Sequence, residues 1–218
     1  MSFPPVILAI GRNYADHAAE MGGKTDERPM VFMKNPASVC RNGDAIRIPP
    51  VCREGGPQVD FEGELAFEIA RDCRDVPESQ ALDVIAGYRV ANDVSARWWQ
   101  KTGSGGQFCR GKSFDTFCPM SDLVPAGAIG DPQDLEIETI LNGQRMQHAP
   151  TKLMVFPVRF LVAELSRGMT LVAGTIVLTG TPAGVGAGRN PPVYLRHGDT
   201  IEVRIPRVGH LVNRVIEE

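Results

Sequence analysis

Short apolar stretches alternate with turn residues along the whole chain. Five of these stretches have the length and composition of β-strands, and they cover residues 6–10, 61–69, 135–141, 175–179 and 200–205. Glycine and proline, which are both frequent, separate them. The dipeptide Asn142-Gly143 follows the third stretch and is typical of the type I′ turn of a β-hairpin. The pattern predicts a β-rich fold.

Two segments have helical rather than strand character. Residues 14–21 follow Asn13, which is the predicted N-cap, and they end at a pair of glycines. Residues 154–166 carry apolar side chains at helical spacing, and Pro157 indicates that this helix starts or kinks there. Because the chain has no internal repeat and no low-complexity linker, we expect a mixed, β-rich single domain over residues 1–218.

Composition and charge narrow the class of protein. Hydrophobic residues make up 43% of the 218 positions and charged residues 22%, which is enough apolar material for a core and excludes a disordered chain. The net charge of −3 comes without a basic stripe, so we expect no nucleic-acid partner. The apolar runs are too short for a signal peptide or a membrane span. The five cysteines form no C-x-x-C pair and are predicted to be free thiols. We therefore expect a cytoplasmic protein with no membrane partner.

Three carboxylates are candidate metal ligands. In the alternating stretch 61–69, Glu62 and Glu64 fall on one face of a strand, about 7 Å apart. That face is either a solvated outer face or a site that faces a cation. Asp93 follows another apolar segment, where it either caps a helix or supplies a third carboxylate. Three such carboxylates would repel one another without a cation, and together they form a hard oxygen set suited to Mg²⁺ or Mn²⁺.

Residues 106–113 read GQFCRGKS and match the phosphate-binding pattern G-x-x-x-x-G-K-S. A phosphate-binding loop needs a buried strand before it and a helix after it. Here polar residues precede the motif and Pro119 follows it closely. The context therefore argues against a nucleotide site and leaves Lys112 as a lone cation for an anionic substrate group.

Two further segments are ambiguous when each is taken alone. His17 and Glu20 share one face of the first predicted helix, so Glu20 either orients the imidazole as a general base or forms an ordinary surface pair with it. The glycine-rich stretch 180–188 lacks dinucleotide-binding spacing. It is either a loop that brings backbone close to a small ligand or a flexible turn.

Taken together, these segments resemble the fumarylacetoacetate hydrolase family, in particular its short acylpyruvase-like and 2-hydroxyhepta-2,4-diene-1,7-dioate isomerase-like members. Six matches occur in order over most of the chain: GRNYADH at 11–17, FMK at 32–34, FEGEL at 61–65, NDVSAR at 92–97, GKSFD at 111–115 and TGTPAGVG at 179–186. The resemblance implies a mixed β-sandwich roll with a few short helices, usually in a homodimer.

The resemblance also implies roles for individual residues. Glu62, Glu64 and Asp93 would bind Mg²⁺ or Mn²⁺. His17 and Glu20 would lie on a lid helix, at about residues 14–21, as the catalytic pair. Lys112 would serve both catalysis and substrate binding. Arg12 and Thr181 would hold the carboxylate and keto oxygens of the substrate.

The implied activity is a metal-dependent hydrolysis of a C–C bond in an acylpyruvate-type 2,4-dioxo acid. His17, oriented by Glu20, would activate a water, and the pyruvate enolate left by cleavage would be stabilised by the metal and Lys112. The alternative is isomerisation or decarboxylation of a 2-oxo diacid of the oxaloacetate or hydroxyheptadienedioate type. A phosphate-binding NTPase and a non-catalytic metal-binding domain are the rival classes, and the joint presence of His17 and Lys112 argues for an enzyme.

Overall fold

The structure is a computed structural model that describes residues 3–24 and 27–218. Most of the regular structure in these residues is β-strand. In chain order, β1 to β15 are Ile7–Gly11, Met30–Lys34, Val39–Arg41, Ile46–Ile48, Val59–Asp60, Gly63–Ile69, Ile85–Asn92, Ser95–Ala96, Cys118–Met120, Val124–Pro125, Glu136–Leu141, Gln144–Pro150, Ile176–Leu178, Thr200–Ile205 and Gly209–Glu217.

The helices are few and short. In chain order, α1 to α5 are Ala15–Glu20, Arg97–Gln100, Phe108–Gly111, Ala126–Ile129 and Val158–Ser166. Single 3₁₀ turns span Pro36–Ser38, Pro50–Arg53, Glu78–Val84, Thr102–Ser104, Thr151–Leu153 and Gly186–Gly188. None of the helices in the described residues is long and apolar enough to cross a membrane.

The strands form two main sheets and one short pair. The larger sheet has eight strands in the order β2-β1-β13-β6-β7-β9-β3, with β10 paired to β7. The second sheet has five strands in the order β12-β11-β14-β15-β4, and β5 pairs with β8. Most neighbours are antiparallel, and three pairs are parallel, namely β1 with β13, β3 with β9 and β4 with β15. This is the mixed, β-rich fold that the sequence predicts.

The two faces of the larger sheet have different environments. Leu65 and Phe67 of β6 lie on one face, in a core shared with the second sheet and with the apolar side of α5. Glu64 and Ala66 point to the opposite face, because successive side chains of a strand alternate. Ala66 packs there in a smaller apolar cluster with Phe32 of β2. Glu64 is thus placed on a face that is buried, yet lies away from the main core.

The predicted strand over residues 61–69 is interrupted at its start. β6 begins at Gly63, so Glu62 lies in the two-residue connection between β5 and β6. Phe61 consequently packs in a different cluster from Leu65 and Phe67, rather than on their face. The other four predicted strands agree with β1, β11, β13 and β14 to within one or two residues.

The predicted hairpin is confirmed. Asn142 and Gly143 connect β11 to β12 and have φ of 50° and 80°. Positive φ at both central residues defines the type I′ turn, which matches the right-handed twist of the flanking strands.

Both predicted helices are shorter than expected. α5 begins at Val158, because Pro157 occupies the N-cap position and the residues before it form a separate turn. The N-cap of α1 is Tyr14 and not Asn13, so the predicted cap is wrong. The Asn13 amide instead donates to the carbonyl oxygens of Phe156 and Thr179, which ties the start of the lid segment to two distant parts of the chain.

Gly63 has no room for a side chain, and its replacement tests this packing. A Cβ at this position would lie 2.1 Å from Thr139 Oγ1 and 3.0 Å from Val203 Cγ1, both on the second sheet. We expect Gly63→Ala to lower the free energy of unfolding by about 1–3 kcal/mol, since overpacking forces neighbours to shift. Urea denaturation followed by circular dichroism measures the difference.

Gly127 is the matched control for this substitution. It lies in α4, is exposed, and has nothing within 4 Å of an added Cβ. Gly127→Ala should leave stability unchanged or raise it by up to about 1 kcal/mol, because alanine favours helix more than glycine does. Equal effects of the two substitutions would contradict the close approach of the sheets at Gly63.

Candidate metal centre and active-site cavity

The acidic residues meet where the antiparallel pair β6–β7 ends. The backbone N–H of Asp93 donates to the carbonyl oxygen of Glu62 over 2.8 Å. The N–H of Glu62 donates to the side-chain oxygen of Asn92 over 2.9 Å. These two hydrogen bonds extend the ladder past the last regular pair, Gly63 with Asn92. The ladder therefore fixes the spacing of the carboxylates on the two strands.

Glu62, Glu64 and Asp93 converge as the sequence predicts. One carboxylate oxygen from each lies within 4.8 Å of those from the other two, and all three residues are buried. The solvated-face alternative for the glutamates is therefore wrong. The capping alternative for Asp93 is also wrong, because the next helix, α2, starts at Arg97 and Ala96 occupies its N-cap position.

Three buried cations surround these carboxylates. Lys112 Nζ donates to Glu62 Oε2 over 2.6 Å and to Asp93 Oδ2 over 2.7 Å. Lys34 Nζ donates to the other oxygen of Asp93 over 2.6 Å, and Arg97 Nη1 lies 2.6 Å from Glu62 Oε1. All four oxygens of Glu62 and Asp93 are thus paired with a positive charge.

Glu64 differs from its two neighbours. Its Oε2 accepts a hydrogen bond of 2.7 Å from the backbone N–H of Gly180, and no lysine or arginine of the described chain forms an ion pair with it. Burial, followed by the charges of Asp93 and Glu62, raises the pKa of Glu64 well above its usual value. Burial would also raise the pKa of Glu62, but Lys112 and Arg97 outweigh it and hold that pKa well below its usual value.

The donor set fits a divalent cation. Mg²⁺ and Mn²⁺ prefer carboxylate oxygens, and oxygens on opposite sides of such an ion are about 4.2 Å apart, close to the spread of these three. A carboxylate oxygen that already accepts one hydrogen bond retains a second lone pair. A cation would also neutralise Glu64, the one member of the triad with no cation beside it among the residues described. Glu62, Glu64 and Asp93 are therefore the residues that would hold a metal.

His17 and Glu20 lie together on α1, beside this cluster. His17 Nδ1 is 3.4 Å from Glu20 Oε2, and His17 is only 6% exposed, so the surface-pair alternative is wrong. Both oxygens of Glu20 accept from the backbone N–H of Gly184, over 3.0 and 3.1 Å. The Glu20 carboxylate thus connects the imidazole to the glycine-rich loop.

A cavity of about 290 Å³ lies beside these groups, with His17, Glu62 and Lys112 in its wall and Glu20, Glu64 and Asp93 outside its lining. Its wall contains five of the predicted site residues, together with apolar and polar neighbours: Ile10, Gly11, Arg12, His17, Met21, Met30, Phe32, Glu62, Arg97, Gln100, Lys101, Phe108, Lys112 and Thr181. The Thr181 hydroxyl donates to the carbonyl oxygen of Gly63 and accepts from Gln147. Thr181 is therefore fixed by protein hydrogen bonds at the base of the cavity.

The glycine-rich stretch 180–188 is held by hydrogen bonds, and its Thr181 lines the cavity, which fits the alternative of a loop close to a small ligand. Its backbone N–H groups donate to three carboxylates on three different elements, with Gly180 bonded to Glu64, Gly184 to Glu20, and Gly186 to Asp60. A Cβ at position 184 would lie 2.1 Å from a backbone oxygen, at a φ of 106° that favours glycine. Glycine at position 184 thus permits the loop to pack directly against the backbone of β12, where Met146 lies.

The GQFCRGKS motif does not form a phosphate-binding loop. The helix α3 (Phe108–Gly111) precedes Lys112 instead of following it. The ammonium group of Lys112 is paired with Glu62 and Asp93, so the description of Lys112 as a lone cation is wrong. Burial would lower the pKa of Lys112, but Asp93 and Glu62 raise it above its usual value and keep the side chain charged.

The match to known proteins identifies the fold family. The family model described as the C-terminal domain of fumarylacetoacetate hydrolase matches residues 6–216. The chain belongs to the fumarylacetoacetate hydrolase family. The resemblance that the six sequence segments carry is confirmed, and so is the fold that it implies.

Three relatives of this family have informative names. The oxaloacetate tautomerase YisK of Bacillus subtilis is 43% identical over 96% of this chain and 69% of its own length. The mitochondrial oxaloacetate tautomerase fahd2 of Xenopus laevis is 42% identical over 98% of this chain and 66% of its own length. The crystal structure of 5-carboxymethyl-2-hydroxymuconate delta-isomerase from Mycobacterium smegmatis is 38% identical, covers 99% of this chain and 80% of the other, and superposes with a TM-score of 0.84. The chain spans about two thirds of the length of the two tautomerases.

Three charged residues near the centre are not among the predicted site residues. Lys34 binds Asp93, and Arg97 binds both Glu62 and Asp60, with its Nε and Nη2 on one oxygen of Asp60 at 2.9 and 2.7 Å. Lys34 and Arg97 occur in segments that match the family, FMK and NDVSAR. Their positions in these motifs could therefore have identified them as candidate site residues. Asp60, which directly precedes the FEGEL segment, carries no such signal.

Metal binding by the acidic triad is directly testable. We expect the purified protein, stripped with EDTA, to bind Mn²⁺ in a calorimetric titration and to gain thermal stability from it, since a ligand that binds only the folded state stabilises that state. Glu64→Gln should weaken Mn²⁺ binding at least about tenfold, because it removes the carboxylate of the triad that forms no ion pair with a lysine or arginine of residues 3–24 and 27–218.

His17→Ala is the control for the metal titration, since the imidazole lies on α1 and outside the triad. Its Mn²⁺ affinity should equal that of the unmodified protein. Unchanged affinity in Glu64→Gln would show that the metal, if bound, is held elsewhere.

Proposed function

We propose that this protein is an enzyme, dependent on Mg²⁺ or Mn²⁺, that interconverts the enol and keto forms of a small 2-oxo diacid. The observation that carries the proposal is that His17, which Glu20 contacts, and Glu62, which belongs to the acidic triad, both form the wall of one cavity. The tautomerase and isomerase names of the relatives favour this alternative over hydrolysis of a C–C bond.

Two groups of residues would carry out this chemistry, namely the acidic triad with its lysines and the His17–Glu20 pair. Glu62, Glu64 and Asp93 would hold the metal, which when bound supplies a Lewis acid for the negative charge that develops on the 2-oxo oxygen. Lys34 and Lys112 hold two of these carboxylates in place, since Lys34 donates to Asp93 and Lys112 donates to both Asp93 and Glu62. Lys112, as a buried charged ammonium in the cavity wall, also stabilises negative charge on the substrate.

His17 is the candidate for proton transfer. Tautomerisation moves one proton between carbon 3 and the oxygen on carbon 2 and breaks no carbon–carbon bond. Glu20 contacts Nδ1 of His17 and is itself held by the backbone N–H of Gly184. Because Nδ1 is occupied by this contact, Nε2 is the nitrogen that would exchange the proton with substrate. Arg12, which also lines the cavity, is the candidate for binding the carboxylate and keto oxygens of the substrate. Thr181 lines the cavity too, but its hydroxyl proton is donated to Gly63, so it would have to exchange that hydrogen bond to bind a substrate oxygen.

Hydrolysis of an acylpyruvate is the second candidate, and the same His17–Glu20 pair favours it, since a fixed imidazole would activate a water equally well. The two candidates differ in product. Hydrolysis and decarboxylation release pyruvate, whereas tautomerisation does not.

A substrate panel separates these reactions. With Mg²⁺ present, we expect the enzyme to accelerate the decay of the ultraviolet absorbance of enol-oxaloacetate, and to release no pyruvate from acylpyruvates or oxaloacetate in a lactate dehydrogenase assay. Pyruvate release from an acylpyruvate without tautomerase activity would establish the hydrolase instead. Inactivity on every 2-oxo acid of the panel would refute the proposal.

Substitution of His17 tests its role as the base. His17→Ala should lower kcat by about 10²- to 10⁴-fold, the usual contribution of a positioned general base. Glu20→Ala should act in the same direction but less, because this residue positions the imidazole and does not carry the proton. A wild-type kcat in His17→Ala would place the base on another residue.

The homodimer and the cytoplasmic location stay predictions. A feature that supports the homodimer is β2, an edge strand of the larger sheet, where Val31 and Met33 are 43% and 49% exposed. Exposed apolar side chains on an open strand edge favour association. Light scattering coupled to gel filtration should give twice the mass of 23.7 kDa for the chain, and Val31→Gln with Met33→Gln should shift it toward the single-chain value.

A further inference from the structure

Lys101 is the exposed lysine of the cavity wall. It directly follows α2 and lines the same cavity as Glu62 and Lys112, yet its side chain is open to solvent. No ion pair joins it to any other residue that the structure describes. Its charge is therefore available at the mouth of the site.

The inner end of the site is the buried part next to the acidic triad, and the cations there are already paired with carboxylates. Lys112 is paired with Glu62 and Asp93, and Arg97 is paired with Asp60 and Glu62. Both are buried. A second negative group on a substrate, pointing away from the acidic triad, would therefore find Lys101 as an uncommitted positive charge in the wall.

The backbone of Lys101 is held in place although its side chain is exposed. Its N–H donates to the carbonyl oxygen of Trp98 over 3.2 Å, and its carbonyl oxygen accepts from the N–H of Gly106 over 2.6 Å. The turn after Lys101 packs tightly against Trp98, since a Cβ on Gly103 would lie 2.4 Å from the Trp98 ring. The position from which the lysine side chain extends is thus fixed before any ligand binds.

The size of the cavity suits a small ligand. Its volume of about 290 Å³ is just under the usual range for ligand pockets, so a short-chain acid would fill much of it. Lys101 is the exposed residue of its wall and Glu62 a buried one, so the cavity runs from the triad toward solvent at Lys101. A 2-oxo diacid carries its first carboxylate beside the 2-oxo group and its second at the far end of the chain. The second carboxylate would then lie on the side of Lys101.

We propose that Lys101 is a specificity-determining residue that binds the distal carboxylate of the substrate and so selects 2-oxo diacids over monocarboxylic 2-oxo acids. This inference rests on the proposed function in one respect, namely that a 2-oxo acid binds at the acidic triad. It adds a residue and a direction of selectivity that the His17–Glu20 pair and the triad do not supply.

Two substrates of the same reaction isolate the distal charge: oxaloacetate and its 4-methyl ester. The quantity measured is the ratio of kcat/KM for oxaloacetate to kcat/KM for the ester. Lys101→Met should lower this ratio about fivefold to tenfold. This size lies between the loss expected for an exposed ion pair and that for a charge-assisted hydrogen bond. The change should come mainly from a higher KM for oxaloacetate. Lys101→Glu should lower it further, and Lys101→Arg should restore most of it.

The matched control is Lys152→Met. Lys152 is also exposed and lies outside the cavity wall, so the ratio should stay at the wild-type value. Raising the ionic strength should lower the ratio in the wild-type protein and have little effect in Lys101→Met, since salt screens an exposed charge. An equal loss on both substrates, or an unchanged ratio in Lys101→Met, would overturn the assignment.

A binding experiment makes this test independent of turnover. Calorimetric titration of the Mn²⁺-loaded protein with 2-oxoglutarate and with 2-oxobutanoate should show tighter binding of the diacid, and Lys101→Met should reduce that preference about fivefold to tenfold. The wild-type protein could show this preference and yet turn over neither oxaloacetate nor its ester. That result would support the role of Lys101 and refute the proposed reaction. Equal binding of the two acids would refute the role of Lys101.

Discussion

The pairing of buried charges at the end of β6–β7 is the constraint on which the rest of the site depends. Taking an ionised side chain out of water is costly unless an opposite charge and hydrogen bonds replace the lost solvation. Asp93 satisfies this with Lys34 and Lys112, and Glu62 satisfies it with Lys112 and Arg97. The charges come from β2, the residue before β6, the residue after β7, α2 and the residue after α3, so these elements must meet at one place.

The glycine-rich stretch 180–188 connects the other acidic groups to this centre. It donates backbone N–H groups to Glu64 beside the metal ligands, to Glu20 beside the imidazole, and to Asp60 beneath Arg97. A helix, a strand and a buried ion pair are thereby held by one loop. Backbone donors add no charge, so they orient these carboxylates while leaving Glu64 available for a cation.

The site has an inner end and an outer end with different electrostatics. At the inner end, lysine and arginine charges are matched to carboxylates and are buried. At the outer end, the wall is more open, and the lysine there is not paired within the described chain. Members of this family with isomerase and tautomerase names share the fold. Under the proposed function, the inner end would supply the chemistry that such reactions have in common. Differences in substrate are more readily accommodated at the outer end, because changes there leave the buried pairs intact.

The sequence by itself determined the position of five of the strands, the Asn142-Gly143 hairpin and the convergence of Glu62, Glu64 and Asp93, the last through the family resemblance. These features depend on local patterns or on short motifs, which one chain displays directly. Only the tertiary structure decided whether the carboxylates face water or the interior, since a period of two looks the same in both cases. It also decided the partner of each charge: Lys112 matches a phosphate-binding pattern in sequence but is paired with Glu62 and Asp93, which lie 50 and 19 residues away. Burial and long-range pairing depend on the packing of distant segments, and no local pattern encodes them.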